Sequence, residues 1–235
     1  MHRFIGNFPL GEKRFWIADK ELVKQVSGVL RLEPGEKIIL SDGQGGEADA
    51  EILSYDKDAV EVSILEGRAG TGDPMTKTTL YLSILKKENF DLAVQKCVEI
   101  GVSKIVPVIT KRTVKLGLKR DRLEKIMREA AEQSGRSVLP ILGEELEFKK
   151  AVVYAKENDI NFFFTLGGKP LELKAEYKDK RIGIFIGPEG GFDDFEVESA
   201  KAARFILAGL GSTTLRAETA AIAAMHEIIF NLGRQ

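Results

Sequence analysis

Only one cysteine, Cys97, and two histidines occur among the 235 residues. A lone thiol excludes an internal disulfide, and these three side chains are too few for a structural zinc site, so no metal is expected. The same scarcity fits a reducing cytoplasm. No window reaches the roughly 18 to 20 apolar residues of a membrane span, and the opening MHRFIGNFPL lacks the apolar core of a secretory signal. A cytoplasmic protein that does not enter a membrane is expected. Neither sign of charge is in excess, since 35 Lys and Arg face 36 Asp and Glu for a formal net charge of −1. Bulk attraction to polyanions is thereby excluded, and any nucleic-acid surface has to be local.

What the chain does have is 43% hydrophobic residues, enough for a real core, in a length suited to one main domain and a small one. From Arg3 to about Leu65, short apolar runs such as RFWIA, EKIILSD, EADAEILSY and AVEVSIL predict a small β-barrel or sandwich. One helix interrupts it from Asp19 to Leu30, capped by Asp19, with Leu22, Val26, Val29 and Leu30 on one face. GRAGTGDPMT (67–76) reads as a linker. Beyond it strands and helices alternate, with strands at 78–85, 104–110, 160–166, 181–186 and 204–210 and helices at 88–100, 120–134, 146–157, 193–203 and 217–232. Such alternation predicts an α/β fold with a largely parallel sheet, whose ligands sit beyond the carboxyl ends of the strands.

Two segments occupy that position. IGPEGGF (186–192) follows the apolar run RIGIFI and precedes a helix begun by Asp193 or Asp194, with Glu196 placed for a capping box. Its glycines let main chain approach a ligand closely. Glu189, Asp193 and Asp194 argue against phosphate, and neither Gly-Lys-Ser/Thr nor GxGxxG is present, so a neutral or cationic ligand fits better. LGSTTLRAETAA (210–221) is the second segment, with Gly211 for a sharp turn, hydroxyls at 212–214, and Arg216 and Glu218 at a helix start. Loops from neighbouring strands would then close one pocket. In the last helix Ile222, Met225, Ile229 and Leu232 form a core stripe widened by alanines that suits a subunit contact, and His226 beside it reads as structural. KRTVKLGLKR (111–120) is basic and acid-free, and suits phosphate contact. Arg3, Arg14, Lys24 and Arg31 form a second, diluted basic set.

IGPEGGF paired with LGSTTLRAETAA resembles the signature of the RsmE family, ribosomal RNA small-subunit uridine N3-methyltransferases of the SPOUT superfamily. QKCVEIGVSKIVPVIT (95–110), the KRTV after it, EAAEQSGRSVLPIL (129–142), VLRLEPGEKI and SDGQG follow in family order, so the resemblance covers nearly the whole chain. It implies a PUA-like RNA-binding β-barrel over 1–68, a linker at 69–76 and a SPOUT domain with a trefoil knot over 77–235. It also implies a homodimer, S-adenosyl-L-methionine as cofactor, and 16S ribosomal RNA or the small ribosomal subunit as partner. The cofactor would be lined by Leu166, Gly167, Gly187, Pro188, Glu189, Gly190, Leu210, Gly211, Ser212, Leu215 and Thr219. Arg216 would stabilise the uridinate, and Glu189 or Glu218 would take the N3 proton or orient Arg216. RNA contact would fall to Arg3, Lys24, Arg31, Lys111, Arg112, Lys115 and Arg136. The chain departs from the family at Thr213, commonly basic, and at Gln25, commonly histidine. A non-catalytic RNA-binding protein with a vestigial pocket, or a SPOUT enzyme acting on transfer RNA or ribose 2′-O, are the alternatives.

Overall fold

The computed structural model describes residues 1–114 and 117–233, so Lys115 of the basic segment lies outside the described residues. The chain forms two compact units, one of Met1–Asp73 with Ala131–Leu139 and one of Pro74–Ala130 with Pro140–Gln235.

In the first unit, β1 (His2–Ile5), β2 (Arg14–Ile17), β3 (Lys37–Ser41), β4 (Gly46–Asp56) and β5 (Ala59–Ala69) make one sheet in the order β1-β3-β4-β5-β2. Alternation decides which side chains enter the core. Along β2, Phe15 and Ile17 point inward while Arg14 and Trp16 are exposed. Register shifts after Asp49 and Ile52 mark bulges in the β4–β5 pair, which bend long strands around the core of Phe4, Leu40, Ile52 and Val62. Asp19 caps the helix as expected, its carboxylate accepting from Leu22 N–H at 3.0 Å. The helix is not uniform, however. After α1 (Lys20–Val23) it widens to a π-helical segment over Lys24–Val29, closed by the Leu30 N–H to Gln25 O bond of 2.8 Å. That change of pitch splits the expected apolar face, leaving Leu22 and Val26 buried and Val29 exposed.

Residues 131–139 return to this unit, which no local pattern announces. Asp73 holds them, accepting from Arg136 Nε, Ser137 N–H, Ser137 Oγ and Val138 N–H at 2.8–2.9 Å. Glycine is needed for the fit, since a Cβ on Gly72 would lie 2.2 Å from the Gly135 carbonyl oxygen. Residues 67–76 therefore differ from a bare linker, with β5 running to Ala69 and Gly72 packed against the returning segment.

The second unit carries β6 (Thr78–Ser83), β7 (Lys104–Ile109), β8 (Ile141–Leu142), β9 (Leu146–Glu147), β10 (Ile160–Pro170), β11 (Ile182–Ile186) and β12 (Ile206–Gly209). All pair in parallel, in the order β12-β10-β11-β6-β7-β8, with β9 beside β7. Helices α2 (Lys87–Ile100), α3 (Arg120–Ser134), α4 (Phe148–Tyr154), α5 (Asp194–Ala202) and α6 (Ala217–Gly233) complete it. Burial on both faces explains why the strands read as continuous apolar runs. On one face Tyr81, Phe163 and Phe185 meet Phe148 of α4 and Ala200 of α5, and the Tyr81 and Phe185 rings stack at 4.2 Å. On the other, α6 packs on α2 and on β11. The segment expected as one helix at 146–157 instead begins with β9 and ends in a 3₁₀ turn at 155–157.

The pairing of β10 with β12 is irregular. Both Phe164 and Lys169 of β10 pair with Ala208 of β12, so residues 165–168 bulge out of the ladder. The two strands approach there as only glycine allows, because a Cβ on Gly168 would lie 2.4 Å from Ala208 O and one on Gly209 2.7 Å from Gly168 O.

Candidate active site

Strands β12, β10 and β11 are consecutive and parallel, so their carboxyl ends open at one edge of the sheet. The loops at 187–193 and 210–216 do not come from paired strands, as the sequence suggested; β10 runs between β11 and β12. Its bulge, with exposed Leu166 and with Gly167 at φ +76°, is thus the middle of the three segments.

In the first loop Pro188 is buried, and Gly191 at φ +69° closes a turn by donating its N–H to Pro188 O at 2.8 Å. Gly187 is closely packed, since a Cβ would lie 3.1 Å from the Phe192 ring and require that ring to give by a few tenths of an ångström. Glu189 is exposed, and its Oε1 accepts the Lys86 main-chain N–H at 3.0 Å. Asp193 and Glu196 form the expected capping box, at 2.8 and 2.9 Å. Glu196, buried to 4% exposure, has a second task, because its Oε1 accepts the Lys111 N–H at 2.8 Å. Arg112 adds a further tie, its Nη1 donating to Gly190 O at 2.5 Å and to Phe192 O at 3.3 Å.

The last loop turns at Gly211, φ +114°, and presents exposed Ser212, Thr213 and Thr214 followed by half-buried Leu215. Arg216 is exposed, and among the described residues its guanidinium engages no partner. Its carbonyl accepts the Ala220 N–H at 2.8 Å and so opens α6. Glu218 lies in the first turn of α6, 6% exposed, with Oε2 lacking a hydrogen-bond partner among the described residues. A buried carboxylate oxygen left unpaired is unfavourable, so this oxygen would gain from a donor, as would the buried hydroxyls of Thr78 and Ser83.

Thr219, expected beside the cofactor, lines a groove of about 460 Å³ between α2 and α6, together with Lys96, Glu99, Ile222 and His226. His226 is exposed there, stacked on Phe230 at 5.0 Å, and has no place in the core. The expected RNA contacts divide. Lys24, Arg31 and Lys111 are exposed. Arg136 is 3% exposed and bound to Asp73, so it is removed from any RNA surface. Arg3 is half-buried and paired with Glu47. Arg112 faces the glycine-rich loop. Its role and the second bond of Glu196 link positions 78 and 85 residues apart, and no spacing in the sequence signals them. Among the described residues, no three His, Cys, Asp or Glu side chains gather as a metal site, and no helix is long and apolar enough to cross a membrane.

Glycine-lined main chain, carboxylates near the loops and leucines at 166, 210 and 215 suit a cation with a flat apolar body better than a phosphate. The RNA methyltransferase domain family matches residues 72–229, and the RNA methyltransferase PUA domain family matches residues 29–65. The ribosomal RNA small subunit methyltransferase E of Rickettsia conorii is 33% identical over 221 residues, covering 90% of this chain and 88% of that protein. Its namesake in Bacillus subtilis is 29% identical, covering 89% and 88%. Among solved structures, the ribosomal RNA small subunit methyltransferase E of Neisseria gonorrhoeae bound to S-adenosyl methionine has a TM-score of 0.88 at 30% identity, over 97% of this chain and 96% of that one. A Legionella pneumophila methyltransferase in complex with the same cofactor gives 0.87 at 28%, over 97% and 96%. The chain belongs to the ribosomal RNA small subunit methyltransferase E family.

Proposed function

We propose that this protein transfers the methyl group of S-adenosyl-L-methionine to N3 of a uridine in 16S ribosomal RNA. The observation that carries the reading is the buried, unpartnered Oε2 of Glu218 two residues from the unengaged guanidinium of Arg216, beside loops that suit a cationic cofactor. Residues 166–167, 187–190 and 210–215 hold the cofactor, whose sulfonium supplies an activated methyl group. N3 of uridine carries a proton and is a poor nucleophile. Glu218 accepts that proton, and Arg216 offsets the charge that develops on the uracil oxygens. Glu189 is the less favoured base, because the Lys86 N–H already occupies its Oε1. The target base is extruded, since N3 lies on its pairing edge.

In this reading residues 1–68 form the RNA-binding PUA-like domain and residues 77–235, threaded as a trefoil knot, the catalytic domain of a cytoplasmic protein. A homodimer is supported by the α2–α6 groove, where Ile100, Ile222 and Ala223 leave an apolar surface that a second copy would cover. Light scattering that finds only monomer would remove the dimer. The reaction is tested by mass spectrometry of ribosomal RNA nucleosides from a deletion strain. Loss of 3-methyluridine is expected; an unchanged level would sink the proposal, and a loss confined to transfer RNA would move the substrate.

A further inference from the structure

Arg112 stands in a basic segment whose composition points to RNA phosphate, yet its guanidinium is committed to the loop after β11. Nη1 donates to the carbonyl oxygens of Gly190 and Phe192, at 2.5 and 3.3 Å. Other ties to this loop run from the Lys86 N–H to the Glu189 carboxylate, from the Asp193 N–H to Glu196, and from the Gly191 N–H to Pro188 O, the last on the opposite edge of the planar peptide that carries the Gly190 carbonyl. Gly190 and Gly191 have no side chains to limit their rotation, and Gly191 sits at φ +69°. Arg112 is thus the side chain that holds the carbonyl edge of this peptide, while the turn bond to Pro188 holds its N–H edge. Its stem lies against the same glycine, since a Cβ there would come within 3.2 Å of Arg112 Cδ. The adjacent Lys111 is arranged the opposite way, tied by its main-chain N–H to Glu196 while its side chain is exposed.

We propose that Arg112 is a positioning residue for the cofactor loop, orienting the Gly190 peptide before the cofactor enters, and that phosphate contact from this segment falls to Lys111. The inference rests on loop 187–191 being the cofactor loop. A loop already ordered loses less conformational freedom on binding, so the effect falls on cofactor affinity.

Full-length wild type, Arg112→Ala, Arg112→Lys and Lys111→Ala separate the possibilities. S-adenosylmethionine titration of the wild type comes first; no binding would remove the reading of the site and this inference with it. With wild-type binding established, Arg112→Ala is expected to raise KM for the cofactor roughly tenfold. KM for RNA and kcat at saturating cofactor should stay within about twofold of wild type. Arg112→Lys, which keeps one donor, should recover part of the loss. Lys111→Ala should raise KM for RNA and flatten its salt dependence, with cofactor binding unchanged. Unaltered cofactor affinity in Arg112→Ala, or a rise in its RNA KM as large as that for the cofactor, overturns the proposal. If the alanine variant does not fold, Arg112→Lys carries the same comparison.

Discussion

Lys86 holds Glu189 through its main chain, the amide N–H donating to Oε1 at 3.0 Å and joining the turn after β6 to the loop after β11. The bond requires an acceptor more than a charge. Glu189→Gln keeps that acceptor and is expected to bind S-adenosylmethionine within about threefold of wild type with kcat nearly unchanged, whereas Glu189→Ala should bind it about tenfold more weakly. Calorimetric titration beside single-turnover rates checks both. A hundredfold loss of rate in the glutamine variant would instead make Glu189 the proton acceptor.

Glu218 separates stability from turnover. Its Oε2 is buried without a hydrogen-bond partner, while its place in the first turn of α6 favours a carboxylate, so Glu218→Gln should leave the melting temperature nearly unchanged. If this carboxylate takes the N3 proton, kcat should fall by about 10²- to 10⁴-fold with cofactor affinity largely kept. A variant both stable and fully active would dismiss Glu218 from the reaction.

Asp73 provides the pH dependence. Burial pushes its carboxyl up, but the hydrogen bonds from Arg136 and Ser137 outweigh this and hold it below the ordinary value of 3.8. With the folded value depressed, the stabilisation is fully present above that ordinary value and fades as pH falls through the folded one. Asp73→Asn removes the carboxylate charge facing buried Arg136 and should cost about 3 kcal/mol at neutral pH. The gap between variant and wild type should narrow in acid below pH 3.8, as urea titrations at several pH values would show. A gap constant with pH would mean that charge is not the cause.

Gly168 tests the close β10–β12 approach. A methyl group there would sit 2.4 Å from Ala208 O, and that oxygen belongs to main chain that cannot rotate away. Gly168→Ala should destabilise the fold by about 2 to 3 kcal/mol in urea, whereas Gly117→Ala, with open space around it, should change stability by less than about 0.5 kcal/mol. Equal stability of the two variants would show that the strands can part at no cost.

Much of the fold was legible where neighbouring residues decide the outcome. α3 runs over Arg120–Ser134 as its periodicity predicts, and Asp193 with Glu196 forms the capping box three residues apart. Two loops were identified because glycine, proline and carboxylates break an apolar run. What escaped depends on residues far apart in sequence. Strand order places β10 between β11 and β12, which alternation does not encode. β8 and β9 are two residues each, too short to show a period. Basic composition drew Arg112 to RNA and the family resemblance drew Arg136, but carbonyls 78 and 80 residues away claim the one and Asp73, 63 residues away, the other. Arg216 and Glu218 look equivalent at a helix start; one is exposed and the other buried because α6 turns only one of them toward the core.

The middle position of β10 also dictates when a newly made chain acquires its pocket. β10 has to receive β11 on one side and then β12, the last strand, on the other, and the three segments at the open edge lie at 165–168, 187–193 and 210–216. During translation the first unit's strands and the β6–β7 pair emerge early, while every segment of the pocket waits for the final third of the chain. A polypeptide stalled before β12 would carry the sequence GPEGG without a second wall to set against it. On the proposed assignment of these loops, methyl-donor binding would be a property of the finished molecule, and a sharp assay for whether its last strand has been put in place.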